Sequence, residues 1–376
     1  MRATPSSAAL MLIALTACGG EKRPVDPPRL VAAIDLRLGT EDESREEFIF
    51  GVIDGLVFDE SGRIYVADSK DHSVRAFSAD GQFLYRLGRE GHGPGDLSGP
   101  CCLMISGDNV LWVKENGNHR YSAFQLNETG ATFLSTLRGS ASYVVSADRV
   151  DFDPAFRLID LGLAYDPATE SYGVVRWRLD STGVAVAADT VPSPPKDSLG
   201  SVSFPSGGGF ATYSQPYGAA SLQAFGAGGE SARGVSSKYA VLWLDAAGAQ
   251  RTLAVRDLTI GPELSRAEHA ATDSMLNAIA AGAGMPRREL PLVLPARKAV
   301  LDAIGLDLDG RLWIERAVAD GQPGEADVYD RQGRWSATYQ WPSNVTMRPW
   351  AIRGRTGLAI EEGADGAQRV VRVLFR

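Results

Sequence analysis

Residues 55–88 read GLVFDESGRIYVADSKDHSVRAFSADGQFLYRLG. Short runs rich in β-branched and aromatic residues, at 56–58, 63–67, 74–77 and 83–87, are separated by polar turn clusters. Asp59 to Gly62 makes the first turn and Asp80-Gly81 the last. Asp serves there because its side chain accepts a backbone N–H at the start of a hairpin. Gly serves because it tolerates φ > 0 near the end. The stretch therefore reads as one antiparallel sheet of four short strands.

The unit is repeated. Residues 101–139, CCLMISGDNVLWVKENGNHRYSAFQLNETGATFLSTLRG, align Leu111-Trp112-Val113 with Ile64-Tyr65-Val66 and Phe124 with Phe77. Asn118-His119 falls on Asp71-His72. Fainter copies are marked by their turns: Asp180 to Gly183, Asp245 to Gly248, Asp307 to Gly310 and Asp330 to Gly333. A spacing of about 40–45 residues per four-strand unit is that of a β-propeller. The expected fold is all-β, a propeller of about six blades, placed at 50–88, 100–138, 142–191, 215–256, 298–341 and 346–376. The last has room for three strands only. The run 30–38 is expected to supply its fourth and close the ring, leaving no free edge.

Both clear units resemble the NHL repeat: a hydrophobic-aromatic-Val strand, an acidic residue, Asn-His-Arg, then a strand ending in Phe. The second carries Glu115, Asn118, His119 and Arg120 in those places, whereas the first has Asp71 for Asn and Ser73 for Arg. Gly91-His92-Gly93-Pro94-Gly95-Asp96 between them is similar to that family's Gly-rich interblade loop. The resemblance is specific over residues 50 to 125 and extends to six-bladed, NHL-like propeller lipoproteins of bacteria.

The N-terminus carries its own address. Met1-Arg2 precedes a short apolar run, Ala8 to Ala14, and Leu15-Thr16-Ala17-Cys18 follows. A run this short reads as a signal peptide, residues 1–17, rather than a membrane span. The tetrad resembles the bacterial lipobox, which implies a lipid on Cys18, and Gly19 favours the outer membrane. Two or more acyl chains anchor a protein stably. Residues 18–29, with their prolines, read as a stiffened tether to the propeller at 30–376. Adjacent Cys101 and Cys102 read first as two small apolar residues opening a buried strand. A vicinal disulfide is the alternative in an oxidising compartment.

One segment, about 263–284, breaks the β pattern. Ser265-Arg266-Ala267-Glu268 has the form of a capping box. Ala271, Met275, Leu276 and Ile279 would share one face, and Gly282 and Gly284 would stop the helix. It is expected as an insertion between the fourth and fifth blades, either filling a gap or acting as a lid.

If strands a to d of each blade run outward, b–c turns and d–a crossovers share one face. That rule gathers His72, His92, Asp96, His119, Arg120, Arg297, Lys298, Arg348 and Trp350 as candidate ligand-face residues. His72 and His119 occupy a repeat position, which a turn-stabilising hydrogen bond also explains. The Arg297-Lys298 pair and Arg348 are either solvated charges or an anion or carboxylate site.

Composition narrows the function classes. The formal net charge of −8 speaks against a sequence-independent nucleic-acid binder. No hydrolase elbow, Walker loop or His-Glu-x-x-His motif is present. The expectation is a monomeric, lipid-anchored binding or scaffold module without a cofactor, engaging an envelope protein, peptide or glycan. The alternative is a channel-centred lactonase- or lyase-type enzyme using a divalent metal, Ca by resemblance to the lactonase propellers. Asp68, Glu115 and Glu315, read as ends of equivalent b strands, would be its first candidate ligands.

Overall fold

The computed structural model describes residues 27–40, 44–140, 150–166, 171–191, 200–206, 209–364 and 366–376. The signal-like segment, Cys18 and the tether up to residue 26 lie outside them. Four separate sheets, at 53–87, 100–138, 151–191 and 221–255, each pair four antiparallel strands in sequence order. A two-stranded hairpin, Ser201–Ser206 with Gly209–Ser214, which the repeat pattern does not announce, stands between the third and fourth. The remaining strands form a nine-stranded sheet. In it, Arg29–Leu38 pairs parallel with Trp335–Trp341 and antiparallel with Gln368–Phe375. The N-terminal strand thus joins the end of the chain, as the closure argument expects.

The chain is predominantly β, in a propeller-like arrangement. Consecutive sheets pack through separate apolar clusters. Val57 and Leu103 share one such cluster, Leu137 and Leu158 another, and Trp243 and Leu312 a third. Leu56 with Leu358 joins the last strands back to the first sheet. Trp313, wholly buried, stacks near Tyr339 and Phe375 and ties Leu301–Leu306 and its neighbours to the closing strands. Burial of such side chains stabilises by about 1.5–3 kcal/mol each, so the seams between sheets hold the arrangement together.

The Asp-x-x-Gly turns owe their recurrence to a clamp. Asp59 accepts from the Arg63 N–H and, on its other oxygen, from Arg63 Nε at 2.6 Å. Asp153 with Arg157, Asp307 with Arg311 and Asp330 with Arg334 repeat both bonds. Each carboxylate therefore satisfies the turn backbone while pairing a cation. The residue before the Arg takes positive φ, +84° at Gly62 and +69° at Gly310, and in the Asp153 turn it is Phe156, at +57°.

Helix α1, Arg266–Gly282, starts where the capping box places it: Ser265 Oγ accepts from the Glu268 N–H, and the Glu268 carboxylate accepts from the Ser265 N–H. Its buried face differs from the expected one. Thr272, Leu276 and Ala280 are buried, whereas Met275 is 46% exposed. The helix packs on Leu290 and Leu292 of its own following loop and on Val202 of the hairpin. That tertiary seat sets the face, not the apolar count alone.

Cys101 and Cys102 correct the first expectation. They are joined by a disulfide. Both remain buried at the start of Pro100–Ile105, so the packing half of that expectation stands.

Candidate functional site

The NHL-like residues fasten a loop. His72 and His119 both adopt positive φ, +52° and +50°, at the turn between second and third strands. His72 Nδ1 accepts the Gly99 N–H at 3.0 Å, and the His119 carbonyl accepts the Gly139 N–H. Arg120 donates to Glu115 and to the carbonyls of His92, Gly93 and Asp96. Asn118 bonds Glu115, the Gly91 carbonyl and His92 Nδ1. Asp96 is held by Arg89 Nε and the Gly93 N–H, with Arg89 first in keeping its carboxyl below the usual range. These contacts bind the 88–99 crossover to the neighbouring turns. They place crossover and turns on one face, and they occupy His72, Asn118 and Arg120.

Asp68 and Glu115 end equivalent strands and do equivalent jobs. Fully buried Asp68 accepts the N–H groups of Gly51, Val52 and Asp71. Glu115, equally buried, accepts from the Ser98 N–H, Asn118, Arg120 and Ser122. Glu315 does not belong to this set. The pairing partners of Asp68 and Glu115 are Ile53 and Pro100, and the corresponding partner in the fifth unit, Leu301, faces Arg316. Glu315 therefore matches Ala67 and Lys114, one residue earlier. A shift of one residue turns a side chain to the opposite face of its sheet. Among the described residues no group of three or more His, Cys, Asp or Glu side chains is arranged to hold a metal ion.

The shift leaves Glu315 in a different setting. A cleft of ≈ 330 Å³ lies between the fourth sheet and the start of the nine-stranded one, lined by Gln215, Tyr217, Ser236, Lys298, Asp302, Glu315 and Arg316, among others. Strand ends and crossovers supply these residues, so the cleft opens on the crossover face. Burial, then the neighbouring Asp302 carboxylate, push the Glu315 carboxyl up to about 7, with Arg348 opposing. Among the described residues its carboxyl makes no side-chain hydrogen bond. Gln215 is clamped from behind: a Cβ on Gly218 would lie 2.8 Å from the Gln215 Cβ, and on Gly200 3.1 Å. Its Nε2 is buried without a hydrogen-bond partner. A buried amide N–H left unbonded costs about 1–3 kcal/mol, and a ligand that accepts it recovers that loss.

The other charges of the cleft are already paired. Lys298 Nζ bonds the Glu268 carboxylate and, at 2.8 Å, the Val318 carbonyl. Arg316 pairs with Glu325, and Asp302 with Arg348 at 3.3 Å. Arg297 is turned to Glu263 and the Gly261 carbonyl, outside the cleft lining. The expected open anion site of Arg297 and Lys298 is thus filled by the protein's own carboxylates. Trp350 is a further correction. It is 1% exposed and packs 5.7 Å from Trp313, over Gly305, where a Cβ would lie 2.1 Å from its indole nitrogen. It is a core residue. Sequence reasoning reached Lys298 and Glu315 but missed Gln215, Ser236 and Asp302. The one local signal for Gln215 is the Pro216-Tyr217-Gly218 turn beside it.

Comparison with known proteins agrees with this architecture. The NHL repeat family model matches residues 50–77. The fold is similar to that of a Bacteroides fragilis protein provisionally named as exported, with a TM-score of 0.50 and 10% identity over 92% of this chain and 95% of that one. Weaker likenesses include an inactive virginiamycin B lyase from Staphylococcus aureus with quinupristin, at TM-score 0.43 and 10% identity, covering 90% and 98% of the two chains. Another is the PQQ-bound aldose sugar dehydrogenase of Streptomyces coelicolor, at TM-score 0.42 and 10% identity, covering 94% and 100%. No curated protein matches the sequence. Fold and repeat together define a β-propeller protein with NHL-like repeats. No helix among the described residues is long and apolar enough to cross a membrane.

Proposed function

We propose that this chain is a binding module of the bacterial cell envelope, a six-bladed propeller held to the outer membrane by a lipid on Cys18, whose ligand enters the Gln215–Glu315 cleft. The nine-stranded sheet then counts as two blades, 301–341 and 345–375, the second completed by the N-terminal strand. One observation carries the binding reading. At Asp68 and Glu115 the protein satisfies its own buried carboxylates, whereas in the cleft it leaves the Gln215 amide and the Glu315 carboxyl unbonded. Buried polar groups are paired as a rule. Among the described residues the other buried unbonded donors are Arg316 Nε, in the same cleft, and the indole nitrogens of Trp243 and Trp350, in the core. A concave site with a few unmet polar groups is where ligands bind.

A second reading has its own support. A carboxyl near 7 is suited to general acid–base catalysis at neutral pH. Under it the chain is a hydrolase or lyase, with or without a bound cation, acting at the same cleft or the central channel. Pull-down from envelope extracts with the full-length chain, followed by calorimetry and a turnover assay on whatever is captured, separates the two. Stoichiometric capture without chemical change supports the module. Conversion of the captured molecule, lost in Glu315→Gln, supports the enzyme and removes the first reading.

A further inference from the structure

Resting on the binding reading of the cleft, we infer that its ligand is a neutral molecule presenting a secondary amide, whose carbonyl accepts from Gln215 Nε2 and whose N–H donates to Glu315. The inference follows from which groups are spent and which are left. Lys298, Arg316 and Asp302 are each matched by a partner of opposite sign, Glu268, Glu325 and Arg348. What remains is the Gln215 Nε2 donor, the Nε–H of Arg316, whose charge Glu325 already meets, and the Glu315 carboxyl as acceptor. An amide supplies the complementary pair within a single planar group.

Charged ligands fit worse for a stated reason on each side. A carboxylate would enter between Asp302 and Glu315, and like charges brought together in a partly desolvated site repel. An ammonium would meet the Lys298 cation, which stands over the Tyr217 ring at 5.7 Å on the cleft wall. It would also leave the Gln215 N–H facing a donor. The cleft's ≈ 330 Å³ suits a ligand fragment of one or two residues. Two sources carry this chemistry, an N-acetylated sugar and a peptide bond, and the test has an arm for each.

Calorimetric titration of the full-length chain in detergent at pH 8 would use four probes. Di-N-acetylchitobiose tests the sugar source and N-acetylalanine methylamide the peptide source. Methylammonium and acetate, which carry no amide, supply the cation and the anion. One amide probe should bind, with both charged probes weaker by about tenfold or more. Gln215→Leu, checked for folding by its melting curve, should weaken binding by about tenfold. Glu315→Gln, whose amide oxygen still accepts, should keep the affinity within about threefold and abolish its rise between pH 6 and pH 8. A charged probe that binds more tightly and is lost in Gln215→Leu overturns the amide assignment while leaving the cleft a binding site. Failure of all four probes, or amide binding indifferent to Gln215→Leu, overturns the amide assignment as well. Capture of a ligand from envelope extracts by Gln215→Leu as by the parent would sink the cleft itself.

Discussion

Lys298 and Glu268 form an ion pair, both side chains 15% exposed, that fastens the capping box of helix α1 to the wall of the cleft. The same carboxylate closes the box on the Ser265 N–H, and the same ammonium caps the Val318 carbonyl. The helix is therefore tied to the site at its first turn, while its C-terminal half rests on Leu290, Leu292 and the hairpin.

Replacing Lys298 by Met should loosen that turn. Glu268 would be left largely buried without its cation, at a cost of about 1–3 kcal/mol. Urea denaturation gives the loss in stability, and hydrogen exchange of the amides at 266–270 gives its location. Unchanged exchange there would mean the pair is not what holds the helix.

Stability should fall as pH rises through the range set by Glu315. Its folded carboxyl titrates near 7, above the ordinary 4.5. Between those values the folded state keeps a proton that the unfolded state has lost, so the linkage sign is negative with rising pH. The contribution is present below about 4.5 and gone above about 7, worth of order 2 kcal/mol once solvent screening is allowed for. Glu315→Gln should flatten this part of the profile and be the more stable protein at pH 8. A parallel shift of both profiles would argue against it.

Asp327 lies fully buried between the fourth sheet and the nine-stranded one, accepting from Tyr239 Oη at 2.7 Å, Thr338 Oγ1 at 2.8 Å and Arg256. Asp327→Ala strands two cations' worth of field, since Arg316 Nε is also 3.7 Å away. It should lower stability by about 3–5 kcal/mol, readable as a fall in the urea midpoint. Thr338→Val, which removes one hydroxyl donor from the carboxylate and leaves its cations in place, should lower it by less, about 1.5–3 kcal/mol.

Thiol counting tests the Cys101–Cys102 bond directly. Denatured, unreduced Cys18→Ser protein purified from the periplasm should show no free thiol, and two after reduction. Free thiol before reduction would return the pair to plain packing residues.

The same substitution tests the anchor. Cys18→Ser should move the protein from the membrane to the soluble fraction of lysed cells. Retention in membranes would refute lipid attachment at this residue.

What could be read from the residues alone divides by range. The Asp-x-x-Gly turns and the capping box are local chemistry, each complete within about five residues, and they fall where the sequence places them. The hairpin at 201–214 carries a Gly-Gly turn signal at 207–208 but falls outside the repeat. Glu315 is legible, but grouping it with Asp68 and Glu115 misaligns it. Laying Asp307–Ile314 over Asp59–Val66 puts Arg316, not Glu315, on Asp68, and the structure carries the same one-residue bulge at Asp54, Cys102 and Asp302. That one residue separates a saturated carboxylate from an unbonded one. Trp350 and Gln215 are settled only by what packs against them, Gly305 in one case and Gly200 with Gly218 in the other.

The N-terminal strand has a temporal meaning as well as a spatial one. Residues 29–38 are made first and pair with 335–341 and 368–375, made last. As the chain is made this strand must wait, its backbone unpaired, for nearly all of it to arrive. Contacts of such separation form slowly, and exposed edges recruit other chains in the meantime. Completion of the last seam is then the step that commits the chain to its folded state.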